Sequence, residues 1–221
     1  MDRDHEILDE KARLRRRLRQ ARQALSIESV RAASSAVVRL LSAWLSVDRL
    51  AFPTPGSADL TAPAPEPTPE LALYAGVGGE IEVDALVGDG TALYPRVAAK
   101  QPPTLTFHRI RGRHALLPAA FGLLEPPHDA PAIPLGAASA VIVPSLGFDR
   151  LGHRLGQGGG YYDAALRHAP HVPRIGVGHA FQLLEQIPVE STDEPLDLIV
   201  TPDGAFPTRA RPHIHPPGGS L

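Results

Sequence analysis

Ala140-Val-Ile-Val-Pro-Ser-Leu-Gly-Phe-Asp149 runs directly into Arg150-Leu-Gly-His-Arg-Leu-Gly-Gln-Gly-Gly-Gly-Tyr-Tyr-Asp163. The first four residues are apolar on both faces of an extended chain, as in a strand whose sheet is covered by helices. Downstream, Gly156, Gly158, Gly159 and Gly160 lack Cβ, so successive backbone N–H groups can converge into an anion-binding concavity. The helix predicted from Tyr161 adds its positive end. Glycines alone read equally well as a plain mobile turn. The flanks favour the anion nest, because Arg154 is placed to neutralise phosphate and Asp163 falls in the first helical turn.

Working outward, short apolar runs bounded by Gly and Pro predict strands at Leu71 to Tyr74, Ala92 to Tyr94, Leu105 to Ile110, Ile175 to Val177 and Leu198 to Val200. Helices are predicted between them at Gly160 to His168 and Phe181 to Gln186. This alternation predicts an α/β fold, a layered α/β/α sandwich whose sheet is largely parallel, with parallel strands in the C-terminal half.

Upstream, Leu14, Leu18, Ala21 and Leu25 recur at helical spacing among Lys11, Arg13, Arg15, Arg16, Arg17, Arg19 and Arg22, predicting a basic amphipathic helix. Ser26 is placed to cap a second helix bearing Val30, Ala33, Val37, Leu41 and Trp44. Six prolines between Pro53 and Pro69 exclude helix and central strand there, so the stretch reads as a surface insertion. The chain thus divides into one domain over residues 1–205 and a flexible Pro/Gly tail over 206–221.

At 221 residues the chain is long enough for one α/β domain with a substantial core. Its formal net charge of −2 gives no global attraction for nucleic acid or an anionic membrane, and neither is expected as a partner. Without cysteine there is no disulfide, thiolate metal site or cysteine nucleophile, and metal ligands narrow to oxygen and imidazole. The acidic opening Met1-Asp-Arg-Asp-His-Glu6 and the absence of a long apolar run predict a cytoplasmic protein. A Walker A loop would end in Gly-Lys-Ser/Thr, and a Rossmann fingerprint would have a third glycine where Tyr161 stands.

The run Val143-Pro-Ser-Leu-Gly-Phe-Asp149, with Gly152-His-Arg-Leu-Gly156 and Gly158-Gly-Gly-Tyr-Tyr-Asp163, resembles the signature of the 5-formyltetrahydrofolate cyclo-ligases. Further segments agree in the same order: Lys11-Ala-Arg-Leu-Arg15, Gly79-Glu-Ile81, Tyr94-Pro-Arg-Val97, Phe121-Gly-Leu-Leu-Glu-Pro126 and Asp193-Glu-Pro-Leu-Asp-Leu-Ile-Val-Thr201. The resemblance implies a fold of the ribose-phosphate isomerase and glucosamine-phosphate deaminase type. It also implies ATP-dependent conversion of 5-formyltetrahydrofolate to 5,10-methenyltetrahydrofolate with release of ADP and phosphate, requiring Mg²⁺.

By the same resemblance, Lys11, Arg15 and the loop Arg154, Gly156, Gln157, Gly158, Gly159, Gly160, Tyr161 and Tyr162 contact ATP, Arg154 and Tyr162 being catalytic. Glu80 binds the pterin, Gln157 to Tyr161 face the folate, and Asp163 and Asp193 hold magnesium. A monomer acting on small molecules is expected. The alternatives are a non-catalytic folate- or nucleotide-binding relative and, from fold likeness alone, a sugar-phosphate isomerase. The chain departs from the pattern at Ala164, where many members carry Arg, at Gln157 and Gly159, where some are basic, and at Thr192, often His.

Overall fold

The computed structural model describes residues 2–46 and 70–209. The Pro-rich insertion at 53–69, and the tail beyond Arg209 with His213 and His215, lie outside the described residues.

Two helices open the chain, α1 (Asp2–Gln23) and α2 (Ile27–Ser46), and α3 (Tyr161–Arg167) follows the glycine loop. The strands are β1 (Leu71–Ala72), β2 (Thr91–Lys100), β3 (Pro103–Arg111), β4 (Leu117–Pro118), β5 (Leu124–Glu125), β6 (Ala132–Ile133), β7 (Ala140–Pro144), β8 (Gly147–Asp149), β9 (Arg154–Leu155), β10 (Arg174–Val177), β11 (Leu183–Leu184), β12 (Leu198–Thr201) and β13 (Gly204–Pro207).

The main sheet has eight strands in the order β13-β12-β10-β7-β1-β2-β3-β6. From β12 to β2 neighbouring strands run parallel, while β13, β3 and β6 add antiparallel edges. The parallel set therefore reaches into the N-terminal half through β1 and β2. The expected tail begins too early, because Phe206 and Pro207 are paired in β13 with Ile199 and Leu198.

Alternation along β7 sorts its side chains onto two cores. Ala140 and Ile142 join Val37, Leu41 and Trp44 of α2, while Val141 and Val143 join Leu166 of α3 with Ala169 and Val172. Val37, Leu41 and Leu166 are wholly buried, each contributing roughly 1.5–3 kcal/mol of hydrophobic stabilisation. Burial on both faces is why Ala140 to Val143 carries no polar alternation. Ser26 caps α2 as expected, its hydroxyl accepting from the Ser29 N–H at 3.1 Å.

Helix α1 differs from its expected stripe. Its buried positions are Lys11, Leu14, Leu18 and Arg22, while Ala21 is exposed and Leu25 lies past the helix end. Leu14 and Leu18 pack on Leu146, Leu155 and Ile187 beside the small β11-β8-β9 sheet, and the two cations fill the ends of the stripe.

Two further elements depart from expectation. β2 and β3 are much longer than their apolar runs, because a long antiparallel hairpin from Thr91↔Arg111 to Lys100↔Pro103 pairs their polar ends. Pro95 is tolerated because β1 pairs with β2 only near Leu93. The helix expected at Phe181 to Gln186 is a 3₁₀ turn, Ala180–Gln182, followed by β11 alongside β8. Gln182 turns inward there, donating to the Ser145 and Leu146 carbonyls and accepting from the His179 N–H.

Candidate active site

The glycine loop leaves the buried strand β9 and runs into α3, whose N-cap Gly160 has φ +68°, a left-handed conformation natural to glycine. Residues 157–160 are exposed. The loop is held by α1: Arg15 Nε donates to the Gly156 carbonyl at 2.9 Å and Arg19 Nη2 to Gln157 Oε1 at 2.9 Å. A Cβ on Gly158 would sit 3.6 Å from the Arg15 guanidinium carbon. Positive charge absent from the loop at Gln157 and Gly159 is thus supplied from the helix beside it.

Arg154 is buried at the root of the loop, with Nη2 2.6 Å from Asp163 Oδ1. That contact is an ion pair without hydrogen-bond alignment, and neither Nε nor Nη2 of Arg154 has a hydrogen-bond partner among the described residues. Its guanidinium lies 5.9 Å from the centre of the Tyr162 ring. The Tyr162 hydroxyl is likewise buried without a partner among the described residues. Burial pushes the Tyr162 phenol well above its ordinary range, the charge of Glu80 adding and that of Arg154 opposing. Tyr162 is therefore a neutral donor that a ligand can satisfy.

Glu80 sits in a turn opened by Gly78 and Gly79, both at positive φ. Its Oε1 accepts from Arg22 Nη1 at 3.0 Å and its Oε2 from the Val77 N–H at 3.2 Å. Burial raises the Glu80 pKa above the ordinary 4.5 even though Arg22 opposes the shift. A group with a raised folded-state pKa contributes stability that is present below its unfolded pKa and is lost as pH rises through the folded value. Wild-type stability relative to Glu80→Gln is therefore expected to fall as pH rises from about 4.5. Urea denaturation of both proteins from pH 4 to 8 checks this, and a constant difference would contradict it.

The two expected magnesium acids each face a cation. Asp193 Oδ2 accepts from Lys11 Nζ at 2.6 Å and from the Glu190 N–H at 2.8 Å; Lys11 also reaches Glu190 Oε2 at 2.8 Å. Asp163 Oδ1 accepts from the Glu194 N–H at 3.1 Å, which brings it to the same turn as Asp193. Each carboxylate keeps its other oxygen free of hydrogen bonds among the described residues. No group of three or more His, Asp or Glu able to hold a metal occurs among them.

Lys11, Arg15, Glu80, Arg154, Tyr162, Asp163, Asp193 and the glycines are thus gathered around one face of α1 and the loop. Arg96 is turned away, donating to the carbonyls of Pro126 and Pro127. Sequence reasoning missed Arg19 and Arg22. Positions 11, 15, 19 and 22 share one side of a helix, but spacing alone does not show that this side meets the loop.

An exposed glycine loop between a buried strand and a helix, backed by buried cations and an acid-bearing turn, is set in an α/β protein with a largely parallel sheet. The chain belongs to the 5-formyltetrahydrofolate cyclo-ligase family, whose profile matches residues 68–202. It is 31% identical over 140 residues to the 5-formyltetrahydrofolate cyclo-ligase of Escherichia coli K12, covering 60% of this chain and 77% of that protein. The same enzyme of Mycolicibacterium smegmatis is 43% identical over 89 residues, covering 39% of this chain and 46% of that one. Among solved structures, the 5,10-methenyltetrahydrofolate synthetase of Aquifex aeolicus superimposes with a TM-score of 0.70 at 26% identity, covering 96% of this chain and 95% of its own. That of Mycoplasma pneumoniae, at 22% identity and TM-score 0.64, covers 87% of this chain and 98% of its own and shares the fold. No helix among the described residues is long and apolar enough to cross a membrane.

Proposed function

We propose that this chain converts 5-formyltetrahydrofolate and ATP to 5,10-methenyltetrahydrofolate, ADP and phosphate at the face where α1, the glycine loop and the Glu80 turn meet. The observation that carries the site is the joint presence of buried donors on Arg154 and Tyr162 without hydrogen-bond partners among the described residues and a largely shielded carboxylate on Glu80, 13% exposed. The donors suit phosphate oxygens, and the carboxylate suits the N–H edge of an amino-pyrimidine.

In this reading the formyl oxygen forms a bond to the γ-phosphorus as the bond to ADP breaks. N10 then attacks the activated carbon, loses its proton, and phosphate leaves with the former formyl oxygen. Arg154 and the loop N–H groups stabilise charge on the transferring group, while Lys11 and Arg15 hold the nucleotide. Glu80 fixes the pterin so that N10 and the formyl carbon meet in an attacking geometry.

Magnesium would be held by Asp163 and Asp193 through their free oxygens. Two carboxylates without a third protein ligand suit an ion that takes its remaining ligands from phosphates and water. It would supply charge neutralisation at the phosphates. Asp163→Asn is expected to lower turnover at least about 100-fold, with a folded protein by circular dichroism. Near-wild-type turnover would remove Asp163 from the metal assignment.

The five parallel strands covered on both faces support the ribose-phosphate isomerase type of fold as part of the same proposal. A cytoplasmic monomer completes it, and light scattering of the purified protein checks the mass. For the activity itself, purified protein with Mg-ATP and 5-formyltetrahydrofolate is expected to generate the near-ultraviolet methenyl absorbance. No growth of that band would overturn it.

A further inference from the structure

His179 follows β10 and is buried, 5% exposed, at a place none of the steps above uses. Its Nε2 lies 2.8 Å from the carbonyl oxygen of Gly79, 100 residues away in sequence and adjacent to Glu80. A carbonyl only accepts, so Nε2 carries the proton and donates. The backbone N–H of Gln182 donates to the His179 carbonyl at 2.9 Å, closing the turn that presents the ring. Burial holds the ring's pKa below the ordinary 6.5, and a neutral ring that donates from Nε2 is the Nε2–H tautomer. Phe181 stacks on it with ring centres 5.7 Å apart and planes 10° from parallel.

The contacts continue beyond the ring. The Gln182 carboxamide oxygen accepts from the His179 N–H at 2.8 Å, and its Nε2 donates to the carbonyls of Ser145 and Leu146, each at 2.9 Å. Ser145 Oγ in turn donates to the Leu155 carbonyl at 2.6 Å, one residue before the glycine loop. A series of hydrogen bonds linked through His179, Gln182 and Ser145 thus connects the turn carrying Glu80 to the root of the loop.

The Glu80 turn is pinned at its ends, by Arg113 Nη2 donating to the Gly76 carbonyl at 2.8 Å, the Tyr74 hydroxyl to the Ile81 carbonyl at 2.6 Å and the Glu82 N–H to Ser34 Oγ at 2.9 Å. His179 makes the only hydrogen bond to the Gly78–Gly79 backbone among the described residues. Gly78 and Gly79 hold positive φ, and the turn's own bonds are Glu80 N–H to the Val77 carbonyl at 3.2 Å and Val77 N–H to Glu80 Oε2 at 3.2 Å. Arg22 grips the Glu80 side chain from α1 and its carbonyl packs on Gly79, where a Cβ would come within 3.1 Å, but it makes no hydrogen bond to the turn's backbone. Glycine backbone samples many conformations, so a clamp on the Gly79 carbonyl narrows that freedom between the pinned ends.

We propose that His179 is a positioning residue: by donating to the Gly79 carbonyl it sets where the Glu80 carboxylate stands, and through Gln182 it holds that turn at a fixed distance from the glycine loop. This rests on the reading of Glu80 as the folate-binding acid. His179 itself touches no substrate.

The test has one arm that needs no catalysis. In the ligand-free protein, ¹⁵N spectra of labelled histidine are expected to show His179 as the Nε2–H neutral tautomer, and amide hydrogen exchange at Val77 to Glu80 is expected to rise at least about tenfold in His179→Ala. In the kinetic arm, His179→Ala is expected to raise KM for 5-formyltetrahydrofolate about tenfold or more while KM for ATP moves less than about threefold. His179→Gln, which can still donate to the carbonyl, is expected to recover most of the loss. An Nδ1–H or charged ring, or unchanged exchange at Val77 to Glu80, overturns the clamp even if the enzyme is active. Equal rises in both KM values, or no rescue by glutamine, reduces His179 to a general structural role and overturns the proposal. Should wild type form no methenyl product, the cyclo-ligase reading fails while the exchange and tautomer results still decide the clamp.

Discussion

Arg154→Met is expected to lower kcat for methenyl formation about 10²–10³-fold, the scale seen when one preorganised donor to a developing anion is removed. The structure gives three reasons for an effect of that size. The guanidinium is only 6% exposed, so its charge acts in a low-dielectric setting. Among the described residues its Nε has no partner and its Nη2 meets Asp163 only as an ion pair without hydrogen-bond alignment, so both donors keep hydrogen-bonding capacity for a ligand. It also sits between the loop and Asp163, at 2.6 Å from the carboxylate, where nucleotide and metal would meet. Methionine keeps the volume and the packing on Tyr162 but no donor. Pre-steady-state absorbance with a circular dichroism check on folding measures the effect, and a loss below about fivefold would remove Arg154 from catalysis. Combining it with Asp163→Asn is expected to cost less than the sum of the two, since each leaves the other's charge without its partner.

Lys11→Met is expected to destabilise the ligand-free protein by about 2–3 kcal/mol in urea denaturation. Lys11 is 2% exposed and its ammonium lies between Asp193 and Glu190, so its removal leaves two carboxylates facing each other beside α1. The figure is below the full cost of a broken buried pair because the Glu190 side chain is 38% exposed and water screens it. If Lys11 also contacts ATP, added nucleotide is expected to raise the melting temperature of wild type more than that of the variant. Equal shifts would leave Lys11 as a clamp between α1 and the Asp193 turn. A stability loss under about 0.5 kcal/mol would mean the ion triad contributes nothing measurable.

Ala140 to Val143 shows why the central fold was readable. An apolar run too short for a helix and bounded by Ala-rich and Pro-Ser segments has few options other than a doubly covered strand, and β7 sits between β10 and β1 with a core on each face. Phe181 to Gln186 shows the opposite case. Its local composition suits a helix, but Gln182 gains more by satisfying the Ser145 and Leu146 carbonyls at a distance, which no local window contains. Thr91 to Lys100 was read too short for a similar reason, because its polar half becomes strand only through pairing with β3.

At the site, residue types that bind charge announced themselves. Arg154, Asp163 and the glycines between them stand in one continuous stretch, and the resemblance placed Lys11, Glu80 and Asp193 beside them. Arg19 and Arg22 looked like members of a solvated basic face, and only the docking of α1 on the loop and on Glu80 separated them from Arg13, Arg16 and Arg17.

The sequence by itself determined the strand-loop-helix unit at Ala140 to Asp163, the two opening helices and the family, because each is written in contiguous residues whose periodicity or motif needs no distant partner. The tertiary structure alone decided which arginines of α1 serve the loop, that Asp163 and Asp193 meet cations at one turn, and that His179 reaches Gly79. Those facts depend on long-range burial, where a charge or hydrogen-bond donor is set by what faces it across the fold and not by its neighbours in the chain.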